Sequence, residues 1–529
     1  MNLTWRHALA TLAWAAAVGA AHAADLPELN IDLKETTVSG ISSGAFMAVQ
    51  MAVAKSASVR GVAATAGGPY FCALQDSAGG GYVIGTNNVI ARCMQGDPMY
   101  PAQPITDAQL QDMANAANSW SASGKIDPVS NLAGQAVWVF HGYNDGIVKL
   151  PVADALVQWY SKFIPASQIF YKDDLNAAHS QISASCGAAG GNGASCNPCS
   201  TTGNQFINAC ADKPPASSGA LYDAAGAALQ MFYGPLVRTA TDKLGGQVQE
   251  FNQAPYLKRH SGNPVSYPSE IAMGETGYVY VPQACKQGQP CRLHIAFHGC
   301  MQSATSLKGP AFVNGAGVNE WADANRIVVL YPQATPTQAL PTNPMGCWDW
   351  WGYNDTAYTK WFGFMPYPTT PETGTYATAK GLQVAGVWRM AEKLAAKGVP
   401  ASPAPAVSTP APELLAVDHS DDQALLRWQP VSGASSYRVY RSSSNQAAQA
   451  LGSGPVTQLF WVDAGLQPQA SYRYTVRAVV AGQEGPDSNA VSISTGDKAP
   501  TLAQCNPYFS LMLNAPVNAM GLQTTQVCP

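Results

Sequence analysis

A long α/β unit followed by a small all-β module is the architecture the 529-residue chain predicts. Three observations carry that reading. Up to position 399, apolar strand-like runs alternate with Ala-rich helical stretches, the pattern of a sheet covered by helices. At 400–412 the sequence PASPAPAVSTPAP puts five prolines among Ala, Ser and Thr, which makes a semi-rigid linker. Beyond it, short runs with period-two alternation and turn residues between them read as strands.

In the long unit, strands are expected at 60–66, 136–140, 168–171, 292–297 and 326–331. Helices are expected at 45–57, 152–163, 222–233 and 376–397. The stretches 71–128 and 185–219 look loop-rich and carry cysteines, as insertions over a sheet edge or cleft do. After the linker, strand-like runs fall at 424–430, 436–442, 471–480 and 490–495 within a module at 413–496. Trp428 sits where a sandwich core takes a large aromatic. Leu466 and Pro468 followed by Tyr472 look like the corner that ties a Tyr hydroxyl to nearby backbone, so the module resembles a fibronectin type III domain. His419 falls in this module. A tail at 497–529 holds two cysteines.

The first 23 residues read as an export signal. Arg6 and His7 open it, 8–20 is apolar and Ala-rich, and Ala21-His22-Ala23 is a small-residue cleavage site. The expected localisation is secreted, with the periplasm as runner-up. Export makes the twelve cysteines an expected disulfide set. Chain order suggests Cys72–Cys93, Cys285–Cys291 and Cys505–Cys528. A zinc site at Cys196-Asn-Pro-Cys199, flanked by Cys186 and Cys210, is the weaker reading. With 12% charged residues, a net charge of −4 and no basic run, nucleic acid is not an expected partner. No apolar stretch after the N-terminus approaches 18 residues, which argues against an integral membrane protein. The 13 Trp, 22 Tyr and 14 Phe argue against disorder.

The chemistry starts at Gly40-Ile41-Ser42-Ser43-Gly44, a G-x-S-x-G between a β-like run at 34–39 and a helical run from Ala45. That is the setting of a nucleophile elbow, in which Ser42 is exposed on a tight turn and the Ser43 N–H faces an oxyanion. A nucleophilic serine needs a base, and the base an orienting acid. Asp145 follows the 136–140 strand and His179 the 168–171 strand, giving the order Ser, Asp, His. Asp173 and Asp174 compete as acids but read as solvated charges; His141 competes as base but precedes the acid. A second oxyanion N–H is expected from the run ending His298-Gly299-Cys300. This run and its neighbours come late in the chain, whereas they would ordinarily precede the nucleophile. The parts are complete but rotated in order, which predicts a circularly permuted α/β-hydrolase.

GISSG, the later HGxxDxxV from His141 to Val148, NAAHS, FHGCMQS and CWDWW together make positions 24 to about 399 similar to secreted poly(3-hydroxybutyrate) depolymerases with the permuted, type 2 catalytic domain. That resemblance implies Ser42 as nucleophile, Asp145 as acid and His179 as base. It implies oxyanion donors from the Ser43 and Cys300 backbone, with His298 marking the loop, and a Cys300–Cys347 bond bracing that loop against the tryptophans. Trp348, Trp350 and Trp351 are expected to put at least one indole against a polyester or oligomer in the cleft. No metal or organic cofactor is required. The alternatives are a feruloyl- or acetyl-type esterase acting on polysaccharide, or an inactive secreted binding protein. The 497–529 tail is short for the polymer-binding domain usual in that family.

Overall fold

The computed structural model describes residues 25–73, 88–97, 100–186, 196–212, 220–338, 341–354, 375–398, 411–443 and 446–497. The expected export signal, most of the Pro-rich linker and the expected Cys505–Cys528 pair lie outside these residues.

Eight strands form one sheet. They are β1 (Thr36–Ile41), β2 (Val59–Thr65), β3 (Ala136–Phe140), β4 (Ile169–Lys172), β8 (Gln247–Asn252), β9 (Thr276–Val281), β10 (Arg292–Phe297) and β11 (Ile327–Tyr331). Their order across the sheet is β4-β3-β2-β1-β10-β11-β9-β8, parallel except for β9, which is antiparallel to both neighbours. Counted from β8, the strands run 1-2-4-3-5-6-7-8 across the sheet. That is the α/β-hydrolase arrangement with the chain opened between its fourth and fifth strands. β3 and β11 are continuous apolar runs, and β1, β2 and β10 are buried along nearly all their length, because helices cover both faces. Helix α1 (Ser43–Ala54) is buried along its whole length, as are most residues of α3 (Leu150–Tyr160) and α4 (Ala224–Tyr233). The C-terminal helix Leu382–Leu394 packs its apolar stripe beside α1.

Two insertions differ from their loop-rich expectation. The 71–128 stretch contains a 16-residue helix, α2 (Asp107–Ala122), begun by a capping box in which Thr106 and Gln109 satisfy each other's backbone. The T-x-x-Q signature marks its start, but a helix with one polar, exposed face carries little overall apolar signal in the sequence. The 185–219 insertion is braced by a miniature sheet of β5 (Gln181–Ile182), β6 (Asn197–Pro198) and β7 (Ile207–Ala209).

Disulfides join Cys72–Cys93, Cys186–Cys196, Cys199–Cys210, Cys285–Cys291 and Cys300–Cys347. The four sulfurs considered for zinc are therefore consumed in two consecutive, non-crossing bonds.

After the linker, eight strands make two antiparallel sheets: β12 (Leu414–His419), β13 (Gln423–Trp428) and β16 (Phe460–Ala464) in one; β14 (Ala434–Ser443), β15 (Gln446–Ala450), β17 (Ser471–Val480), β18 (Gln483–Asp487) and β19 (Val491–Ser494) in the other. Trp428 is buried against Tyr437, and the Tyr472 hydroxyl accepts the Gln467 N–H at 3.0 Å, the anticipated corner. This sandwich packs on the β4 edge of the large sheet: Leu425, Phe460 and Val462 share a core with Trp138, Phe170 and Phe232.

Candidate active site

The four loops of interest leave one end of the sheet. The parallel register pairs Ile41 with Thr65, Thr65 with Phe140 and Phe140 with Lys172, while Gly40 pairs with Phe297. The strands ending at Ile41, Phe140, Lys172 and Phe297 thus stop at nearly one level, and the residues following them meet above it.

Ser42 lies on the turn between β1 and α1 with φ 56° and ψ −126°, a backbone conformation a side chain ordinarily avoids. The turn is held because the Ser42 N–H donates to Thr65 O at 2.9 Å and its carbonyl accepts from Ala45 and Phe46. Its two flanking glycines are obligatory. A Cβ on Gly40 would overlap the Gly44 carbonyl, and one on Gly44 would overlap the carbonyls of Phe297 and His298. The second glycine is what lets the elbow press against β10. Ser43 is the first residue of α1, where an amide has no intrahelical acceptor.

The 298–302 loop sits beside Ser42: a Cβ built on Gly299 would lie 3.4 Å from Ser42 Cβ. His298 is wholly buried. Its Nδ1–H donates to Gly299 O at 2.7 Å and its Nε2 accepts the Ala334 N–H at 3.1 Å, which fixes the tautomer. Burial pushes its pKa down to about 4, so it is a neutral scaffold. The Gly299 N–H is taken by Gln302 Oε1 at 2.8 Å, and Gln302 in turn donates to Gln205 O and Phe206 O. Among the described residues, neither the Ser43 nor the Cys300 amide has an acceptor. In the sequence Gln302 stands only as part of the FHGCMQS run; its bracing role depends on the folded position of residues 205–206, about a hundred positions away.

Asp145 and His179 come together, with His179 Nδ1 2.8 Å from Asp145 Oδ2 and both side chains buried. The other carboxylate oxygen accepts the Ile147 and Val148 N–H groups at 2.8 and 3.1 Å. Burial pushes the Asp145 pKa up, but the His179 partner, His141 and the backbone donors outweigh it and hold the carboxyl below its ordinary value. With Nδ1–H committed to Asp145, Nε2 of His179 is left as a proton acceptor. His141, the competing base, is wholly buried and donates from Nε2 to Val148 O at 2.8 Å, closing the acid loop from behind. The acid and base loops are locked together: Tyr143 N–H donates to Leu175 O, Asn144 N–H to Ala177 O, and a Cβ on Gly142 would overlap Ala177. The Ala178 N–H donates to Cys199 O at 2.9 Å, so the Cys199–Cys210 hairpin supports the residue before His179.

The expectation that Asp173 and Asp174 are solvated is overturned. Asp174 is fully buried with Oδ1 3.1 Å from Lys172 Nζ, and Asp173 is largely buried, its pKa pushed up to about 7 by burial and by Asp421, Asp174, Asp422 and Asp154. The packed β12–β13 sheet of the sandwich covers them, which no local signal announces.

A cavity beside Ser42 is lined by Ser43, Phe46, Val148, Cys300, Trp350 and Trp351, among others. Phe46 and Trp350 stack with centroids 4.0 Å apart, and Trp351 meets Trp350 edge-on at 5.3 Å. Trp348 does not line it. It is fully buried behind the wall, where its indole N–H donates to His298 O at 3.0 Å. The irregular turn through Asp349 leaves Trp348 facing inward and Trp350 and Trp351 on the cavity side. Asp349 organises that turn by accepting the Gly352, Tyr353 and Asn354 N–H groups at 2.7, 3.0 and 3.1 Å. Burial raises its pKa to about 6 despite those donors. The Cys300–Cys347 bond joins the 298–302 loop to this wall.

No family model matches the chain. Among curated proteins it is 36% identical over 482 residues to the poly(3-hydroxybutyrate) depolymerase of Delftia acidovorans, covering 90% of this chain and 82% of that one. It is 34% identical over 354 residues to the polyhydroxybutyrate depolymerase of Talaromyces funiculosus, covering 65% of this chain and 90% of the relative. Among solved structures, the PHB depolymerase from Penicillium funiculosum superposes with a TM-score of 0.53 at 30% identity, over 71% of this chain and all of that one. A serine-to-alanine PHB depolymerase complexed with an R3HB trimer gives 0.54 at the same identity and coverage. The identity extends over nine-tenths of the chain, and on that ground the chain belongs to the poly(3-hydroxybutyrate) depolymerases.

Proposed function

We propose that this chain is an exported serine esterase that hydrolyses poly(3-hydroxybutyrate), related short-chain polyhydroxyalkanoates and their oligomers through an acyl-enzyme on Ser42. The observation that carries the reading is the 2.8 Å Asp145–His179 pair, buried at the same end of the sheet as the strained Ser42 turn. His179 Nε2 takes the Ser42 hydroxyl proton as Oγ attacks the ester carbonyl. Asp145 holds the ring in the required tautomer and stabilises the imidazolium. The oxyanion that forms accepts from the free N–H groups of Ser43 and Cys300, the first reinforced by the N-terminal end of the α1 dipole. The imidazolium gives its proton to the leaving hydroxyl, and water activated by the same nitrogen then releases the 3-hydroxyacyl unit. Phe46, Trp350 and Trp351 give flat apolar contact suited to the polymer's methyl groups. Export, to the extracellular space with the periplasm second, is supported by the Ala21-His22-Ala23 site, by five disulfides, and by the absence of any helix long and apolar enough to cross a membrane among the described residues.

The test is a fluorophosphonate titration of wild type and Ser42→Ala, with turnover of a nitrophenyl butyrate and clearing of a poly(3-hydroxybutyrate) suspension measured in parallel. One label per wild-type chain, none on the variant and clearing only by wild type is the expected outcome. Turnover of feruloyl esters without clearing would move the substrate to polysaccharide esters.

A further inference from the structure

The sandwich does more than follow the catalytic unit. Its β12–β13 sheet lies against β4, the edge strand that leads into the loop presenting His179. Lys172, the last residue of β4, is fully buried. Its carbonyl accepts the His141 N–H at 2.9 Å. Its ammonium sits 3.1 Å from Asp174 Oδ1 and donates to the carbonyl of His419, in β12, at 2.7 Å. Asp418 Oδ2 accepts the Tyr222 hydroxyl at 2.6 Å, and the Tyr222 ring lies under the Lys172 ammonium, 5.1 Å from ring centroid to Nζ. One residue earlier, the Tyr171 N–H, which would otherwise be an open donor on the sheet edge, is taken by Gln423 Oε1 at 2.8 Å. Farther along the same face, Arg427 Nη1 donates to Met231 O at the end of α4 at 2.6 Å.

A buried ammonium is tolerated only while its partners surround it, and here the sandwich supplies one of the close ones. The chain from Lys172 reaches His179 in seven residues, and along that path Leu175 and Ala177 are hydrogen-bonded to the acid loop. We infer that the sandwich is a positioning element for the catalytic base: by holding the Lys172–Asp174 pair at the root of the 173–180 loop, Asp418, His419 and Gln423 fix where His179 stands relative to Ser42 and Asp145. This inference rests on the triad proposed above. Lys172, Asp418 and Gln423 are positioning residues, remote from substrate.

The experiment uses the full chain. Asp418→Ala removes the acceptor for Tyr222 and a charge beside Lys172; Asp418→Asn keeps an acceptor; Gln423→Ala uncaps Tyr171; Arg477→Ala, on the outer sheet of the sandwich, is the control. On a soluble ester, with active sites counted by fluorophosphonate, Asp418→Ala is expected to lower kcat about tenfold or more, since small misplacements of a reacting group are costly. KM should stay within about twofold, because the base works in the transition state. The acid limb of the kcat/KM–pH profile, which reports the essential base of the free enzyme, should shift. Asp418→Asn should restore most of kcat, Gln423→Ala should reproduce the loss in smaller measure, and Arg477→Ala should change neither. If Asp418→Ala does not fold, Gln423→Ala decides. Normal kcat and an unmoved acid limb in the folded interface variants would overturn the inference. Absence of labelling at Ser42 in wild type would instead sink the triad.

Discussion

The nucleophile elbow and the base loop stand on neighbouring parts of one sheet end, yet they are fixed by different means. The elbow is held by backbone alone, its own and that of the adjoining strand ends at Thr65 and at Phe297–His298. Gly40 and Gly44 allow a closeness that no side chain permits, and Ser42 N–H, Ala45 N–H and Phe46 N–H complete the turn. The base loop has no such local lock. It hangs from contacts with residues far away in sequence: Cys199 O at Ala178, the acid loop at Leu175 and Ala177, and the sandwich at Lys172. Close backbone-to-backbone packing makes the elbow brittle to a single methyl group, whereas support through side chains and scattered hydrogen bonds makes the base loop adjustable but dependent on the rest of the molecule.

Substitutions can separate the two modes. The largest effect belongs to the elbow. Gly44→Ala should abolish activity as fully as Ser42→Ala, on the order of 10⁴ to 10⁶ in kcat/KM, because the added methyl collides with backbone that cannot step aside. Retention of even a tenth of wild-type turnover on a soluble ester would show that the elbow can relax. Next comes the acid. Asp145→Asn should cost about 10⁴ in kcat with little loss of stability, by releasing the His179 tautomer. Asp174→Asn, equally buried, should lower thermal stability and cost about tenfold to a hundredfold in kcat per labelled site, well short of Asp145→Asn, since it acts only through Lys172 and the placement of the loop. Equal catalytic losses at the two positions would erase the distinction between the acid and the root of the loop.

Smaller effects test the distributed support. Replacing Cys199 and Cys210 together by Ala should lower stability by about 2–4 kcal/mol, read from denaturant melts, with a partial loss of kcat that the Cys285–Cys291 pair, far from the site, should not share. The smallest effect is electrostatic. The Asp173 carboxyl is raised to about 7 from its ordinary 3.8. Between those values the folded chain holds a proton that the unfolded chain has released. Its contribution to stability is therefore complete below the ordinary value and is lost as pH rises toward about 7. Asp173→Asn should raise Tm by about 2 °C at pH 8 and hardly at all at pH 4; an equal shift at both would mean that the proton is not the cause.

Much of this protein was legible as sequence because its signals are local. The G-x-S-x-G between a strand and a helix, the apolar runs at 136–140 and 292–297, and the Leu466–Pro468–Tyr472 corner each need only their own neighbours, and the order in which they occur was enough to deduce the permutation. Strand β8 gives little signal because it is polar and largely exposed, whereas β9, TGYVYV, carries a strand pattern that the expected set omits. Trp348 could not be told from Trp350 by type, since only packing decides which indole faces His298 and which faces the opening. The burial of Lys172, Asp173 and Asp174 was beyond reach altogether. Charges adjacent in sequence read as solvated until something covers them, and what covers them here is a sheet that begins about 240 residues later. The sequence by itself determined which groups could do chemistry and in what order they occur, because turn sterics and side-chain type are local properties. The tertiary structure decided which acids are partnered, which aromatic surfaces remain open and what steadies the base, because desolvation and charge pairing depend on what is brought near, whatever its distance along the chain.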